Sequence, residues 1–308
     1  MATTPTLHTG AYPERDLVEL TIQHLVDPAQ IAGYITTQLA EHPFVADKIL
    51  GGRQSNPQGI FLKRDFQTLK VKGKSEAVAP LGEYPSAQVG EATVSAIPGT
   101  KEGFKQKISD ERMGQTKGVE GKLAIAALMA DLQYQAEDIA MGVIQSAASP
   151  TFGAGQWNTV AGVVEGLMNA RTEMKKLRMG FAPSLFVLNP QQYAHIIALF
   201  IDANKLHSVQ EAEALMLSTG VPKPLEVFTL PPTWKPLLVD PRFFGSIGHW
   251  EIPSPEYTMV AGSTIEVAST RMKSEDGAPL EGTLVQMRKT DTPFLEMEKA
   301  GLFLDVTW

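Results

Sequence analysis

The 308-residue chain contains no cysteine, and that absence removes thiol nucleophiles, disulfide staples and thiolate metal sites together. Long apolar runs are missing too. Nothing approaches the ~18–20 consecutive apolar residues of a membrane span, so no membrane partner is expected. The opening residues, Met1 to His8, lack the basic and apolar regions of a secretory signal, and export is not expected. Positive charge is in deficit, with 27 Lys and Arg against 34 Asp and Glu and a net charge of −7. That balance argues against general nucleic-acid binding, which needs Lys and Arg to neutralise phosphates. Internal repeats and low-complexity tracts are absent.

Motifs that carry catalysis are equally thin. Lys72-Gly73-Lys74-Ser75 resembles the end of a phosphate loop, but Thr68 stands where that loop requires its first glycine. Gly245-Ser246-Ile247-Gly248 lacks the residue that a nucleophile elbow places between glycine and serine. The histidines (His8, His24, His42, His195, His207 and His249) never fall in a metal-ligand spacing. His195 sits in an otherwise apolar helical stretch, which favours packing. Adjacent Glu137 and Asp138 diverge on a helix and cannot share a substrate. Asp110-Glu111-Arg112 suits the start of a helix, whose dipole favours acids by itself. No catalytic constellation, metal site or cofactor site is expected, and the chain does not read as an enzyme.

What remains is a soluble globular composition, 43% hydrophobic and 20% charged, with room for about two domains. Thr116 to Ala148 runs without proline, and Ile125, Leu128, Leu132, Ala136, Ile139 and Val143 recur at helical spacing. At about 1.5 Å per residue this predicts a rod roughly 45 Å long. Such a rod suits an extended, plate-like subunit; a long core helix in an ordinary domain is the alternative.

Residues 1–45 read as an arm. Asp27 is a candidate N-cap, Pro28 the first helical residue and Gln30 a capping-box partner, ahead of Ile31, Ile35 and Leu39 on one face. Beyond Gly51-Gly52, residues 51–97 form a long excursion with a strand from Ile60 to Val71, a return strand from Val89 to Ile97 and a stiff tip at Ala79–Pro85. The apolar members Ile60, Phe61, Leu62, Phe66, Leu69 and Val71 fall on both faces. A two-stranded ribbon is marginal alone in water and needs a partner surface. After it come a strand at Phe104–Ile108, the rod, and a helix carrying Val163, Leu167, Ala170, Met174 and Leu177 that stops at Gly180. A buried strand at Ser184–Leu188 leads to a helix capped by Asn189 and opened by Pro190, and Ser208 to Glu211 spell a second capping box. Strands follow at Leu225–Leu230 and Leu237–Asp240. Residues 241–262 read as loop. A hairpin closes the chain, with Ser263–Lys273 alternating between two faces, a turn at Glu275-Asp276-Gly277 and a return along Leu280–Lys289.

Charge is unevenly spread. Between Leu50 and Glu76, Arg53, Lys63, Arg64, Lys70, Lys72 and Lys74 face only Asp65 and Glu76, a local +4 that leaves −11 on the rest. A basic protrusion on an acidic body suits docking on a second copy of that body; a solvated strand face explains the charge equally well.

Several stretches carry a family resemblance in order. They are Phe44-Val45-Ala46-Asp47-Lys48-Ile49-Leu50, Ala77 to Pro85, Ile108-Ser109-Asp110-Glu111, Gly180-Phe181-Ala182-Pro183 with Leu188-Asn189-Pro190, and Ile265-Glu266-Val267 and Arg271 with Val285, Arg288 and Pro293-Phe294. Together they resemble the major capsid proteins of tailed phages of the Hong Kong 97 type, with the local match nearest those of phages infecting actinobacteria. The resemblance spans most of residues 17–306. It implies an α+β fold with an N-terminal arm (1–45), an extended β-hairpin loop (46–97), a peripheral domain (98–149 and 263–308) around a spine helix, and an axial α/β domain (150–262). It implies a structural protein of the virion that self-assembles into pentamers and hexamers of an icosahedral shell around double-stranded DNA, built in the host cytoplasm.

The partners so implied are copies of itself, a separate scaffolding protein, a portal and a decoration protein. The scaffold is expected to be separate because only about 45 residues precede the loop. Intersubunit contacts are expected at Arg53, Phe61, Leu62, Lys63, Arg64, Phe66, Leu69, Val71 and Tyr84. Some relatives cross-link subunits through lysine and asparagine; Lys63, Lys70, Lys72 and Lys74 lie in the loop, but no acceptor or catalytic acid matches. Two alternatives stay open: an encapsulin-like nanocompartment shell, and a cytosolic α/β enzyme.

Overall fold

The helices begin where their capping residues place them. Asn189 accepts a hydrogen bond from the Gln192 N–H (2.8 Å), and the Gln192 side chain accepts one back from the Asn189 N–H (3.1 Å), which opens the helix Pro190–Asn204. Ser208 accepts from the Glu211 N–H (3.2 Å) at the start of Val209–Ser218, but Glu211 reaches past the cap to the His207 N–H (2.9 Å). Asp27 caps Pro28–Leu39 through the Ala29 N–H (2.9 Å). The computed structural model describes residues 25–39, 44–66, 71–72, 88–89 and 92–308 apart from 275. The Ala77–Pro85 tip lies outside them.

The rod is the helix Val119–Gln145, separated from a short helix Asp110–Gln115 by Lys117 and Gly118 in left-handed conformation. Its buried line runs through Ile125, Leu128 and Leu132, then Ala136, Ala140 and Ile144. Steps of four residues overshoot a full turn by about 40°, so the line winds around the helix and leaves Ile139 40% exposed.

The chain gathers into two compact units. Of the described residues, the first draws on 25–39, Phe104–Ala130 and Pro255–Met287. Its four-stranded sheet includes β6 (Glu102–Ser109), β12 (Thr258–Met259), β13 (Ile265–Lys273) and β14 (Pro279–Lys289), in the order β12-β13-β14-β6. The helix Pro28–Leu39 buries Ile31 and Ile35 against β12 and β13. Glu266 and Ala268 are buried as well as Ile265 and Val267, so both faces of β13 are covered, not one. Arg271 holds Asp110 through two parallel bonds, 2.8 and 2.5 Å. That makes Asp110 a structural partner; the Arg271 hydrogen bonds hold its carboxyl below the usual range.

The second unit draws on the described residues between 44 and 103, on Asp131–Ser254 and on Arg288–Trp308. A five-stranded mixed sheet is ordered β7 (Thr151–Gln156), β16 (Gly301–Thr307), β10 (Leu237–Val239), β8 (Leu185–Leu188) and β9 (Lys223–Glu226). Helices Val160–Lys176 and Pro190–Asn204 pack on it, and the apolar runs of β8 and β10 lie buried between layers. The strand expected at Leu225–Leu230 is Lys223–Glu226, and Val227 to Leu230 form a turn.

A second sheet in this unit corrects the loop reading of residues 241–262. After a helical turn at Pro241–Phe244, β11 (Gly245–Trp250) pairs in parallel with β1 (Gly52–Asn56) and antiparallel with β15 (Asp291–Leu295). The glycines that read as breakers are required by packing. A Cβ on Gly245 would stand 2.5 Å from the Leu50 side chain.

Candidate subunit interface

The excursion is a ribbon of two antiparallel strands. β2 (Ile60–Phe66) pairs with β5 (Ala92–Pro98) from Ile60↔Pro98 to Phe66↔Ala92, and β3 (Val71–Lys72) pairs with β4 (Gln88–Val89). Alternation splits its side chains between two faces.

One face is satisfied by its own chain. Phe61 is 1% exposed, stacks on Phe294 at 6.3 Å and 20°, and fills the space above Gly248. Gln54 on β1 clamps the neighbouring backbone, accepting from the Leu62 N–H (3.2 Å) and donating to the Leu62 carbonyl (3.1 Å). The Asn56 side chain donates to the Ile60 carbonyl (2.6 Å), and the Trp250 indole donates to the Pro57 carbonyl (3.2 Å) beneath the left-handed Gly59. Lys63 lies 3.9 Å from Glu298, and Arg53 pairs with Asp47 at 2.7 Å. Burial pushes the Asp47 carboxyl up despite the Arg53 guanidinium beside it. The root of the ribbon is therefore pinned.

Among the described residues the opposite face has no such cover. Ile60 is 46%, Leu62 44% and Val94 56% exposed, and Ala96 and Pro98 are exposed across the register. An exposed apolar strip on a strand pair is the kind of surface that marks a candidate protein contact.

Of the residues expected at intersubunit contacts, Leu62 lies on this strip. Phe61 is a correction: strand alternation turns it inward, and the missing side chain at Gly248 makes room for its ring. Arg53 and Lys63 sit at the root with acidic partners in their own chain. Arg64, Phe66 and Val71 belong to paired strands, and their side chains lie outside the described residues, as do Leu69 and Tyr84 entirely. Sequence reasoning missed Gln54, Gly248 and Trp250. The available signal was a glycine amid apolar strand-like residues, which marks close approach of another group.

Several of the groups weighed for chemistry are engaged within the fold, while Gly73-Lys74-Ser75, His8, His24 and His42 lie outside the described residues. Ser246 donates to Glu296 (2.5 Å) within the β11 sheet, and His249 lies 3.3 Å from Asp291. His195 bonds the Trp157 carbonyl (3.2 Å). Glu137 is buried and accepts backbone N–H bonds, while Asp138 is exposed. Among the described residues no group of three His, Asp or Glu is placed to hold a metal, and no helix is long and apolar enough to cross a membrane.

At the level of sequence, no family model and no curated protein matches the chain. At the level of structure, it is similar to the virus-like particle protein of Pyrococcus furiosus, with TM-score 0.59, 10% identity, and 89% of this chain and 98% of that one covered. It is similar to the capsid protein of cyanophage P-SCSP1u, with TM-score 0.57, 11% identity, and 84% and 87% covered. The capsid protein of Myoviridae phage XM1 superposes with TM-score 0.51, 12% identity, and 85% and 92% covered. With its helix-backed mixed sheet, long helix and two-stranded ribbon, the chain has the α+β fold of these shell proteins, the Hong Kong 97-type capsid fold.

Proposed function

We propose that this chain is the major capsid protein of a tailed phage, closing into pentamers and hexamers of an icosahedral shell around double-stranded DNA. The observation that carries the reading is the uncovered apolar strip of Ile60, Leu62, Val94 and Ala96 on a ribbon whose other face is anchored at home. A heterologous contact, in which this surface meets a different surface of the next copy, closes into rings when it repeats around an axis. Covering the strip contributes ~25 cal/mol per Å² before ordering costs, and the basic residues of the ribbon set its register against an acidic neighbour. Many such contacts make the shell strong through number. In this reading residues 150–262, with the strands Asp291–Leu295 and Gly301–Thr307 that complete their sheets, form the axial domain at the capsomer centre, and residues 98–149 with 263–290 form the peripheral domain. The partners are further copies, a scaffolding protein, a portal and a decoration protein, and the protein ends in the virion after assembly in the host cytoplasm. The wall does not bind DNA tightly, in keeping with the net charge of −7.

The likeness to the Pyrococcus furiosus particle favours a second reading, a cellular nanocompartment with the same fold. Electron microscopy of particles from the producing cells, with analysis of their contents, separates the readings. Shells holding DNA support the phage reading, shells holding a protein cargo support the compartment, and small oligomers without shells exclude both.

A further inference from the structure

The segment that leads into the ribbon is held by a buried acid. Glu137, in the half of the long helix that belongs to the second unit, accepts hydrogen bonds at Oε2 from the Val45 N–H (3.0 Å) and the Ala46 N–H (3.2 Å). These are orphan donors at the start of the short helix Ala46–Ile49, which runs directly into β1 and the ribbon root. The other oxygen, Oε1, is buried without a hydrogen-bond partner among the described residues. We propose that Glu137 is a proton-controlled anchor of the ribbon root, which holds residues 44–50 tightly when neutral and loosens them when ionised.

The direction follows from solvation. A buried carboxylate places charge on an oxygen that nothing solvates, whereas the neutral acid carries no such penalty. Among the described residues, the charged groups acting on it are Lys289 and Asp47. Lys289 attracts the ionised form, but Lys289 is itself buried, 3.3 Å from Asp291 and over the Phe44 ring. Asp47, on the short helix, repels it, and Arg53 is engaged with Asp47. Burial prevails over the two backbone bonds and Lys289, and raises the carboxyl from 4.5 to about 6. Opening of the segment returns Glu137 to water and to its ordinary value. Closure therefore binds the proton more tightly than opening does. The closed state is favoured below the ordinary value and is weakened as pH rises through about 6, by about 30-fold in the opening constant. That its consequence is release of the ribbon toward a neighbour rests on the proposed function; the anchor itself does not.

The test is hydrogen–deuterium exchange of the full chain from pH 4.5 to 7.5, corrected for intrinsic rates and referenced to the β8 amides. Protection across residues 44–51 is expected to fall about 15-fold over this range in the native protein, since the carboxyl of the open segment is already half ionised at pH 4.5. In Glu137→Gln it is expected to stay at the acid level throughout. Flat protection in the native protein, protection that rises with pH, or an unchanged profile in the variant overturns the proposal. If the variant does not fold, infrared difference spectroscopy of the native protein follows the buried carboxyl directly. A midpoint near 6 supports the anchor, and one at the ordinary 4.5 overturns it. Failure here leaves shell formation untouched, and failure to form shells leaves the exchange profile interpretable.

Discussion

The ring of Phe61 occupies the space that a side chain on Gly248 would need: a Cβ there would stand 2.5 Å from the nearest ring atoms. The two residues lock the ribbon root to β11, and Phe294 closes the other side of the ring. Gly248→Ala forces either the ring or the strand to move. Overpacking of this kind costs about 1–3 kcal/mol, read as a lower urea midpoint. Gly153→Ala is the control, since nothing lies within 4 Å of its Cβ position, and it is expected to fall within about 0.5 kcal/mol of the native protein.

Asp240 is fully buried and ties the Ala182 segment to the turn that opens Pro241–Phe244. It accepts from the Ala182 N–H (2.7 Å), the Arg242 N–H (3.2 Å) and the Arg242 guanidinium (3.0 and 2.8 Å). Burial alone would raise its carboxyl, but the Arg242 and Ala182 bonds outweigh burial and hold it below its ordinary 3.8. Its contribution is present above that value and lost as pH falls through the lower folded one. Asp240→Asn is expected to cost about 1–3 kcal/mol at neutral pH. The difference between variant and native protein should shrink in acid below pH 3.8, as followed by denaturant melts across pH.

Leu62→Asp separates folding from assembly. The side chain is 44% exposed, so the isolated subunit should keep its stability within about 0.5 kcal/mol. A carboxylate on the strip would have to be desolvated at a covered interface, so assembly should fail. Sedimentation velocity of native and variant protein reads both outcomes. A variant that assembles as the native protein does would remove the strip from the interface.

The sequence made some of this legible and concealed the rest for physical reasons. The caps at Asn189 and Ser208 and the stops at Gly180 and Pro183 are local chemistry, and the helices obey them. The long helix was readable from Ile125 to Leu132. Farther along, its buried line shifts to Ala140 and Ile144, because neighbouring elements, not the helix itself, decide which face is covered. β1 and β11 were hidden by Gly52, Gly245 and Gly248, whose missing side chains admit other groups; a breaker and a tight contact look alike in sequence. The ribbon was expected from alternation, but which face turns home depended on a glycine nearly two hundred residues away in the chain.

The central claim is that the outer face of the ribbon is covered only by another copy of the chain. It is tested most directly by joining the register partners Lys63 and Ser95 through an Asn-Gly turn in place of residues 64–94, which keeps Phe61 seated on Gly248. Electron microscopy of this variant beside the native protein should show folded subunits or small oligomers and no closed particles, where the native chain forms shells. Closed shells of native diameter from the shortened chain would contradict the account.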